Sequence, residues 1–432
     1  MKDLSLFKDH LKKYLSDEEI NILISSFSSS SKHAVILNRK KMDDDKFLSL
    51  FPHATPHPII PHAYLYDKNE YELGKSIYHE LGCFYIQEPS AMLVSHFLNV
   101  EDNDYILDMC AAPGGKTIGT SLKLDNHGVI ISNDIAKERC RDLLDNVMRM
   151  GLNNVIITNN DFSSIYQYYE NTFDKIILDA PCSGSGMFRK DERMIDDWSF
   201  NKVIKNSLIQ YNLIDIAYYM LKPGGTLIYS TCSYSYEENE EVIKHLLTNN
   251  DAEIVNFPQN PLFYVSKEKI GIHLFPYLFP GEGHYICMIK KPGNKKDNSF
   301  KTNNNFKRYL PDEISNFSSF KFFNNIYALP YDIRYKGINI YHFGIEVGEE
   351  IKNGNIIYSY HLAHALKHYQ NEIELNEEET AKYLNGEQLT KANPYNGNLL
   401  LKYQGIPLDF SKTNGQWIKN HYPKYYRKKV NF

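Results

Sequence analysis

The chain has 432 residues, 42% of them hydrophobic, 33 tyrosines and a formal net charge of −5. The length fits several domains of roughly 100–200 residues, the composition excludes a disordered or fibrous chain, and the acidic balance excludes a uniformly basic nucleic-acid coat while leaving room for local basic patches. Six cysteines without C-x-x-C spacing, no signal-like leader and no apolar run long enough to span a bilayer read as a cytoplasmic protein with reduced thiols, no structural zinc and no membrane contact.

Residues 1–98 open with apolar positions at helical spacing: Leu4, Phe7, Leu11, Leu15, Ile20, Ile22 and Leu23. A serine-rich turn leads to a short apolar run, residues 34–37. The segment 51–62 holds three histidines among four prolines and reads as an irregular connector, because proline breaks both helix and central strand. Residues 85–98 read as a helix opening near Pro89, with Glu88 adding negative charge at its amino end.

Strands and helices then alternate. Strands are expected at 105–109, 129–132, 155–158, 175–178, 226–230 and 285–289. Helices are expected at 117–122, 137–150 and 205–221, the last with Leu208, Tyr211, Ile214, Ala217, Tyr218 and Leu221 on one face and Lys-Pro-Gly-Gly, 222–225, as its stop. This β-α-β rhythm predicts a largely parallel sheet with helices on both faces. Residues 293–308, rich in Lys and Asn, read as a linker. A separate small domain follows, 309–432, with strands at 373–375 and 399–403. Between them Asn376 caps a helix over 377–384, with Glu379 placed for a capping box. Its tail mixes Lys412, Lys419, Lys424, Arg427, Lys428 and Lys429 with Trp417, Tyr422, Tyr425 and Tyr426, which suits phosphate contact plus base stacking.

Two loops at strand ends carry the chemistry. The first, DMCAAPGGKT at 108–117, joins a strand to a helix whose amino end can hold an anionic group. It is not a P-loop, because Cys110 stands where the first glycine belongs, and it lacks the Gly-x-Gly-x-x-Gly of dinucleotide folds. A nucleoside-type ligand with an acidic end remains. Asp134, past the second strand, is placed for ribose hydroxyls, and Asp161, past the third, for an adenine amino group. The second loop, LDAPCSGSGMFRK at 178–190, puts Asp179 and Cys182 at a strand end. A further strand closes on YSTCSY, with Cys232. If those strands are neighbours, both thiols face one crevice, and a thiolate is a strong nucleophile.

These strings, with KPGGTLIYSTCSY at 222–234 and GEGHYICMIKK at 281–291, resemble the RNA cytosine-5 methyltransferases of the NOL1/NOP2/sun family across about residues 75–292. The GMFRK continuation and a C-terminal region resembling a PUA-type fold point to the bacterial branch acting on small-subunit ribosomal RNA. The resemblance implies a class I Rossmann-like α/β methyltransferase domain over 99–292, preceded by a small N-terminal α/β RNA-binding domain, 1–98, and followed by an α+β PUA-like domain. It implies S-adenosylmethionine as cofactor, held by Cys110, Ala111, Ala112, Pro113, Gly114, Gly115, Lys116, Asp134, Asp161 and Asp179. It makes Cys232 the nucleophile and Cys182 the group that assists release. Ribosomal RNA is the expected substrate, with transfer RNA as the alternative and no role for DNA. Two positions depart from the family pattern. Ser185 stands where Glu is usual, and Val35-Ile-Leu-Asn38 stands where an Arg-Val-Asn signature is usual.

The chemistry explains the residue types. A thiolate adding to carbon 6 of cytosine makes carbon 5 reactive towards a methyl donor. A carboxyl at ring nitrogen 3 would stabilise the adduct, with Asp179 the candidate, and Lys116 would keep the pocket electropositive. The base must leave any stack to reach the crevice, which favours single-stranded or loop RNA. Rival readings are a DNA or protein methyltransferase, a non-catalytic RNA-binding protein and an NTPase. The Thr-Cys232 pair, the joint presence of both thiols with Asp179 and Lys116, and Cys110 speak against them in turn.

Overall fold

A computed structural model describes residues 4–124, 127–303, 305–333, 336–427 and 429–432. Lys428, one of the tail cations, lies outside the described residues. Two helices open the chain, α1 (Ser5–Leu11) and α2 (Asp17–Ser26). Ser16 and Glu19 form a capping box at the start of α2. An antiparallel sheet follows, in the order β2-β3-β1-β4, from β1 (His33–Leu37), β2 (Thr55–Pro56), β3 (Ala63–Tyr66) and β4 (Phe84–Gln87), with α3 (Asp44–Leu50) and α4 (Ile77–Glu80) between its strands. The proline-rich segment supplies only the two-residue edge strand β2, which Pro56 permits because an edge residue needs no ladder donor on its outer side. Its histidines part ways: His57 is buried against the Pro89 carbonyl, and His62 pairs with Asp44 at 2.8 Å.

Residues 84–87 are strand, where a helix was expected from Tyr85. The helix α5 (Met92–Phe97) starts later. Pairing of Ile36 with Tyr85 and Val35 with Ile86 overrides the local helical pattern, and the Glu88 carboxylate accepts the N–H groups of Ser90 and Ala91 at the turn.

The central sheet holds β5 (Tyr105–Asp108), β6 (Val129–Asn133), β7 (Val155–Thr158), β8 (Phe173–Asp179) and β9 (Leu221–Thr231), all parallel. Helices α6 (Gly115–Leu124), α7 (Lys137–Met150), α8 (Arg193–Asp197), α9 (Phe200–Met220) and α10 (Glu240–Asn249) accompany it. The strands β10 (Glu253–Val255), β11 (Ile272–His273) and β12 (Tyr285–Lys290) close one edge, with β12 antiparallel to β9. The order is β10-β12-β9-β8-β5-β6-β7. The chain runs outward from β5 to β7, then returns to β8 on the other side of β5, so a topological switch point lies between the carboxyl ends of β5 and β8. Alternate residues feed two cores. Leu107, Ile131 and Ile176 pack on one face, and Ile106, Ile130 and Ile177 on the other, which accounts for near-continuous apolar runs.

Pro223-Gly224-Gly225 does not merely end α9. It lies inside β9 as a bulge, since Phe173 pairs with Leu221 but Lys175 pairs with Thr226. The face of α9 also differs from its apolar stripe. Leu208 is 61% exposed, while Ser207 and Gln210 turn inward.

The linker is pinned: Lys295 pairs with Glu101 and Asp104, and Asn298 donates to Asp174. A second antiparallel sheet, β13 (Ser318–Phe322), β14 (Asn325–Leu329), β16 (Ile345–Glu350) and β17 (Ile356–Tyr358), stands before the expected PUA-like strands. The intervening β15 (Ile340–Phe343) leaves it to pair antiparallel with β7, so the region after residue 309 is joined to the central sheet rather than set apart. After α11 (Tyr360–Ala365) comes a five-stranded sheet, β18-β20-β21-β22-β19, built from β18 (Glu372–Leu375), β19 (Leu389–Thr390), β20 (Gly397–Tyr403), β21 (Ile406–Thr413) and β22 (Trp417–Ile418), with α12 (Glu377–Leu384). Asn376 and Glu379 make the expected capping box. This sheet shares one core with the N-terminal sheet, in which Val35, Phe47 and Tyr64 meet Leu399, Leu401 and Tyr422.

Candidate active site

The loop after β5 is held from three sides. The Ala111 N–H donates to the Asn133 carbonyl at 2.7 Å, the Met109 N–H donates to the Ile177 carbonyl at 2.9 Å, and Arg139 donates to the Ala112 carbonyl. The Ala112–Pro113 bond is cis, and Gly114 adopts φ +112, which a side chain would strain. Lys116, at the start of α6, reaches across the switch point and bonds Asp179 Oδ2. The other oxygen, Oδ1, accepts the Ser230 hydroxyl at 2.6 Å and lies 3.4 Å from His284 Nε2. Burial alone would raise the Asp179 carboxyl, but the Lys116 ammonium and His284 outweigh it and hold it well below the usual carboxylate range. Burial likewise works against the Lys116 charge, and Asp179, Asp108 and the Cys232 sulfur keep it above its ordinary value.

Beyond Asp179 the two thiols meet. Cys182 Sγ and Cys232 Sγ are 3.1 Å apart, both half-buried and both free. They close β8 and β9, which are adjacent parallel strands. The Cys182 thiol is pushed well up, first by its hydrogen bond with Cys232, then by burial and the charge of its neighbour. Backbone and side chains lock the two loops together. The Gly186 N–H donates to the Cys232 carbonyl at 2.7 Å, and a Cβ on Gly186 would stand 2.6 Å from the Gly283 carbonyl oxygen. Ser185 is buried, and its hydroxyl accepts the Tyr234 N–H at 2.8 Å. The position that departs from the family pattern is thus part of the same lock. Glu238 lies under both loops. Its carboxylate accepts the Ser183 N–H at 2.7 Å, the Ser183 and Ser233 hydroxyls at 2.5 Å each, and a weaker bond from Gln210 at 3.4 Å. Gln210 also donates to the Pro181 carbonyl at 2.8 Å, which is why α9 turns that polar face inward.

The remaining expected residues lie along the same sheet end. Asp134 is 2% exposed; Oδ1 accepts the Ala136 N–H, while Oδ2 has an ion pair with Arg139 at 3.1 Å and no hydrogen bond. Asp161 is exposed and caps the turn after β7 through Oδ1, which accepts both the N–H and the hydroxyl of Ser163. Cys110 is half-buried, and burial raises its thiol. The structure therefore gathers Lys116, Asp179, Cys182 and Cys232 into one cluster, with Cys110 to Gly115 and Asp134 beside it and Asp161 on the rim.

Sequence reasoning missed Asn133, Arg139, Gln210, Ser230, Glu238 and His284. Asn133 joins three strand ends, bonding the Met109 and Asn160 carbonyls and accepting the Thr158 hydroxyl. His284, 5% exposed, stands one residue before Tyr285, which pairs with Thr231. That register sets it beside Cys232. The GEGHY string contained it, but no spacing rule marks it as a partner of Asp179.

Known families match three stretches of the chain. Residues 5–89 match the N-terminal domain of 16S rRNA methyltransferase RsmF, 95–290 match 16S rRNA methyltransferase RsmB/F, and 370–428 match the methyltransferase RsmF PUA domain, in that order. The chain belongs to the RsmF family of 16S rRNA methyltransferases. The ribosomal RNA small subunit methyltransferase F of Shewanella woodyi is 29% identical over 473 aligned positions, 98% of this chain and 96% of its own. That of Citrobacter koseri is 29% identical over 91% of this chain and 90% of its own. A solved methyltransferase homologue from Pyrococcus horikoshii is 28% identical with TM-score 0.59, covering 66% of this chain and 94% of its own. The NSun6 structure from the same organism, at 21% identity and TM-score 0.60, shares the fold over 67% of this chain. As a member of the RsmF family the chain is a Rossmann-like methyltransferase of small-subunit ribosomal RNA that uses S-adenosylmethionine, with a PUA RNA-binding domain. The residues present fit that cofactor. The Asp134 Oδ2 and Asp108 Oδ1 atoms are buried and lack hydrogen-bond donors, and ribose hydroxyls can donate to the former.

Proposed function

We propose that this RsmF-family enzyme methylates carbon 5 of a cytosine in 16S ribosomal RNA, through a covalent bond between Cys232 and carbon 6 that Cys182 helps to undo. The observation that carries the reading is the pair of thiols 3.1 Å apart on adjacent strand ends, beside a carboxylate already paired with a lysine. One thiol would serve simple nucleophilic capture. Two suit a reaction that must both form and release an adduct.

The bound cofactor supplies an electrophilic methyl group on a sulfonium. The RNA-binding loops of the chain must present an unstacked cytosine to the crevice. The Cys182 thiol, pushed up by its contact with Cys232 and by burial, keeps its proton and donates it towards the Cys232 sulfur. As the Cys232–C6 bond forms, the C5=C6 electrons shift to make carbon 5 the nucleophile. Asp179, held as an anion, accepts from the exocyclic amino group of the base. Lys116 balances its charge. With Cys232 bonded to carbon, two of the causes that raised Cys182, its hydrogen bond to the Cys232 sulfur and the charge on that sulfur, are gone. Cys182 then loses its proton to solvent more readily, and its thiolate takes the carbon 5 proton. The C6–S bond breaks, the C5=C6 bond returns, and Cys232 leaves as thiolate. The order of events thus follows from the contact between the thiols.

Cofactor contacts are assigned to Cys110, Ala111, Ala112, Pro113, Gly114, Gly115 and Lys116, with Asp134 on the ribose, Asp161 at the adenine edge and Asp179 between cofactor and base. The chain is read as an N-terminal unit to residue 98, a methyltransferase unit over 99–292 and an RNA-binding unit after 309, working in the cytoplasm. Nucleoside mass spectrometry tests the chemistry. 16S rRNA treated with the protein and S-adenosylmethionine should yield 5-methylcytidine, and bisulfite sequencing should locate it. Methylation at a ribose oxygen or an exocyclic nitrogen would sink the reading.

A further inference from the structure

The basic and aromatic tail singled out in the sequence is not one surface. Tyr422 is buried and bonds Glu80, and Tyr426 bonds Asp145 at 2.7 Å, so neither ring is available to a ligand. Trp417, Lys412 and Lys419 behave differently. Trp417 is 42% exposed on β22, whose next residue, Ile418, is fully buried, so Lys419 returns to the face of Trp417 by strand alternation. Lys412 on β21 stands directly opposite Lys419, the Lys419 N–H donating to the Lys412 carbonyl at 2.9 Å. Like charges directly opposite across two strands are destabilising. Other lysines of this region face carboxylates, Lys391 with Glu379 at 2.6 Å and Lys402 with Glu372 at 3.3 Å. Lys412 and Lys419 make no ion pair among the described residues. Their field reaches His421, whose imidazolium is disfavoured by burial first and then by both lysines.

These side chains border a cleft of about 420 Å³, which Gln388, Asn396 and Asn414 also line and which no carboxylate lines among the described residues. Its wall is rigid. The Trp417 N–H donates to Asn414 Oδ1 at 2.9 Å, the Lys391 N–H donates to the Gln416 carbonyl at 3.0 Å, and the Ser411 hydroxyl bonds the Lys419 carbonyl. We propose that this cleft is a second RNA contact, separate from the methylating crevice, that holds a single-stranded nucleotide with its base on Trp417 and its phosphate between Lys412 and Lys419. An unpaired lysine pair calls for an anion, an exposed indole for a π-face, and side-chain amides for base edges. A nucleotide supplies all three. The inference rests on the chain's RNA substrate and adds where the PUA-like sheet grips it.

The test is binding of a fluorescein-labelled single-stranded RNA oligonucleotide of mixed sequence to the full-length protein across a salt series. Trp417→Ala should weaken binding about tenfold, the order a lost base stack costs, and Trp417→Phe should restore most of it. The double variant Lys412→Gln, Lys419→Gln should make the slope of log affinity against log salt shallower by about 0.7, for one phosphate contact on a single strand. A Trp417→Ala affinity within twofold of wild type, together with an unchanged salt slope in the double lysine variant, would overturn the proposal. The methylation assay on 16S rRNA is run alongside with the wild-type protein. Failure there would count against the cytosine-5 reading and leave the cleft judged by the oligonucleotide.

Discussion

Asp179 shows how much one side chain can depend on neighbours that no motif names. Lys116 was expected in the same pocket, but its bond to Asp179 was not, and Ser230 and His284 also engage the carboxylate. A displacement of about 1 Å at a reacting group can cost on the order of a hundredfold in rate. Replacing His284 with Ala should therefore slow methyl transfer about ten- to a hundredfold at saturating cofactor, with Gln recovering part of the loss. Steady-state kinetics with the two variants checks this, and an Ala variant at wild-type rate would remove His284 from the site. A second residue-scale effect concerns stability. Burial raises Asp108 and Asp409 to about 7. In the unfolded chain an Asp titrates near ~3.9. Between about pH 4 and 7 the folded protein keeps protons the unfolded chain has released. Stability is then greatest at the lower end and falls as pH rises, by up to about 1.4 kcal/mol per pH unit for each group. Asp409→Asn should flatten the melting temperature between pH 5 and 7, and an unchanged slope would contradict the assignment.

At the scale of elements, the strands and their loops were legible because apolar runs end in small residues and proline, whatever the surroundings. The five parallel strands begin and end within a few residues of expectation, except where Pro223-Gly224-Gly225 is absorbed into β9 as a bulge. The failures have a common physical cause, tertiary pairing that outweighs local pattern. Residues 84–87 became strand because β1 offered an edge. Helix α9 exposes Leu208 because Gln210 has a carbonyl and a carboxylate to reach inside. Glu238 was invisible for the same reason, standing in an acidic run that reads as a solvated surface. Glu238→Ala should loosen both thiol loops while the cofactor loop stays intact. A displacement of about 1 Å at reacting groups can cost on the order of a hundredfold in rate. Methyl transfer should fall by that order with cofactor affinity, measured by calorimetry, retained. A rate within twofold of wild type would show that the lock is dispensable.

For the whole molecule, the fold class, the cofactor and the RNA partner could be read from four strings of residues, because the family's motifs mark the sheet end where ligands bind. The assembly of the parts could not be read, since it depends on contacts between segments hundreds of residues apart. The C-terminal segment returns to the N-terminal unit: the Ile77 N–H donates to the Asn431 carbonyl and the Asn431 N–H to the Lys75 carbonyl, each at 2.7 Å, and Tyr422 enters the core shared by the two sheets. Removing residues 420–432 should therefore destabilise the N-terminal sheet as well as its own, seen as faster amide hydrogen exchange in residues 33–37 and 63–66. Unchanged exchange there would mean that the shared core stands without the tail. The α1–α2 pair makes a similar link to the thiol loops, Phe7 packing edge-on to Phe188 at 5.0 Å and Phe27 stacking on Tyr234 at 6.1 Å. The N-terminal helices thereby buttress both thiol loops from behind.

The central claim is that Cys232 attacks the base and Cys182 frees it. Capture of RNA on a denaturing gel tests it most directly. With 16S rRNA and S-adenosylmethionine, Cys182→Ala should accumulate a slow-migrating protein–RNA band and Cys232→Ala should give none and transfer no methyl groups. A trapped band from Cys232→Ala, or full turnover by either variant, would contradict the account.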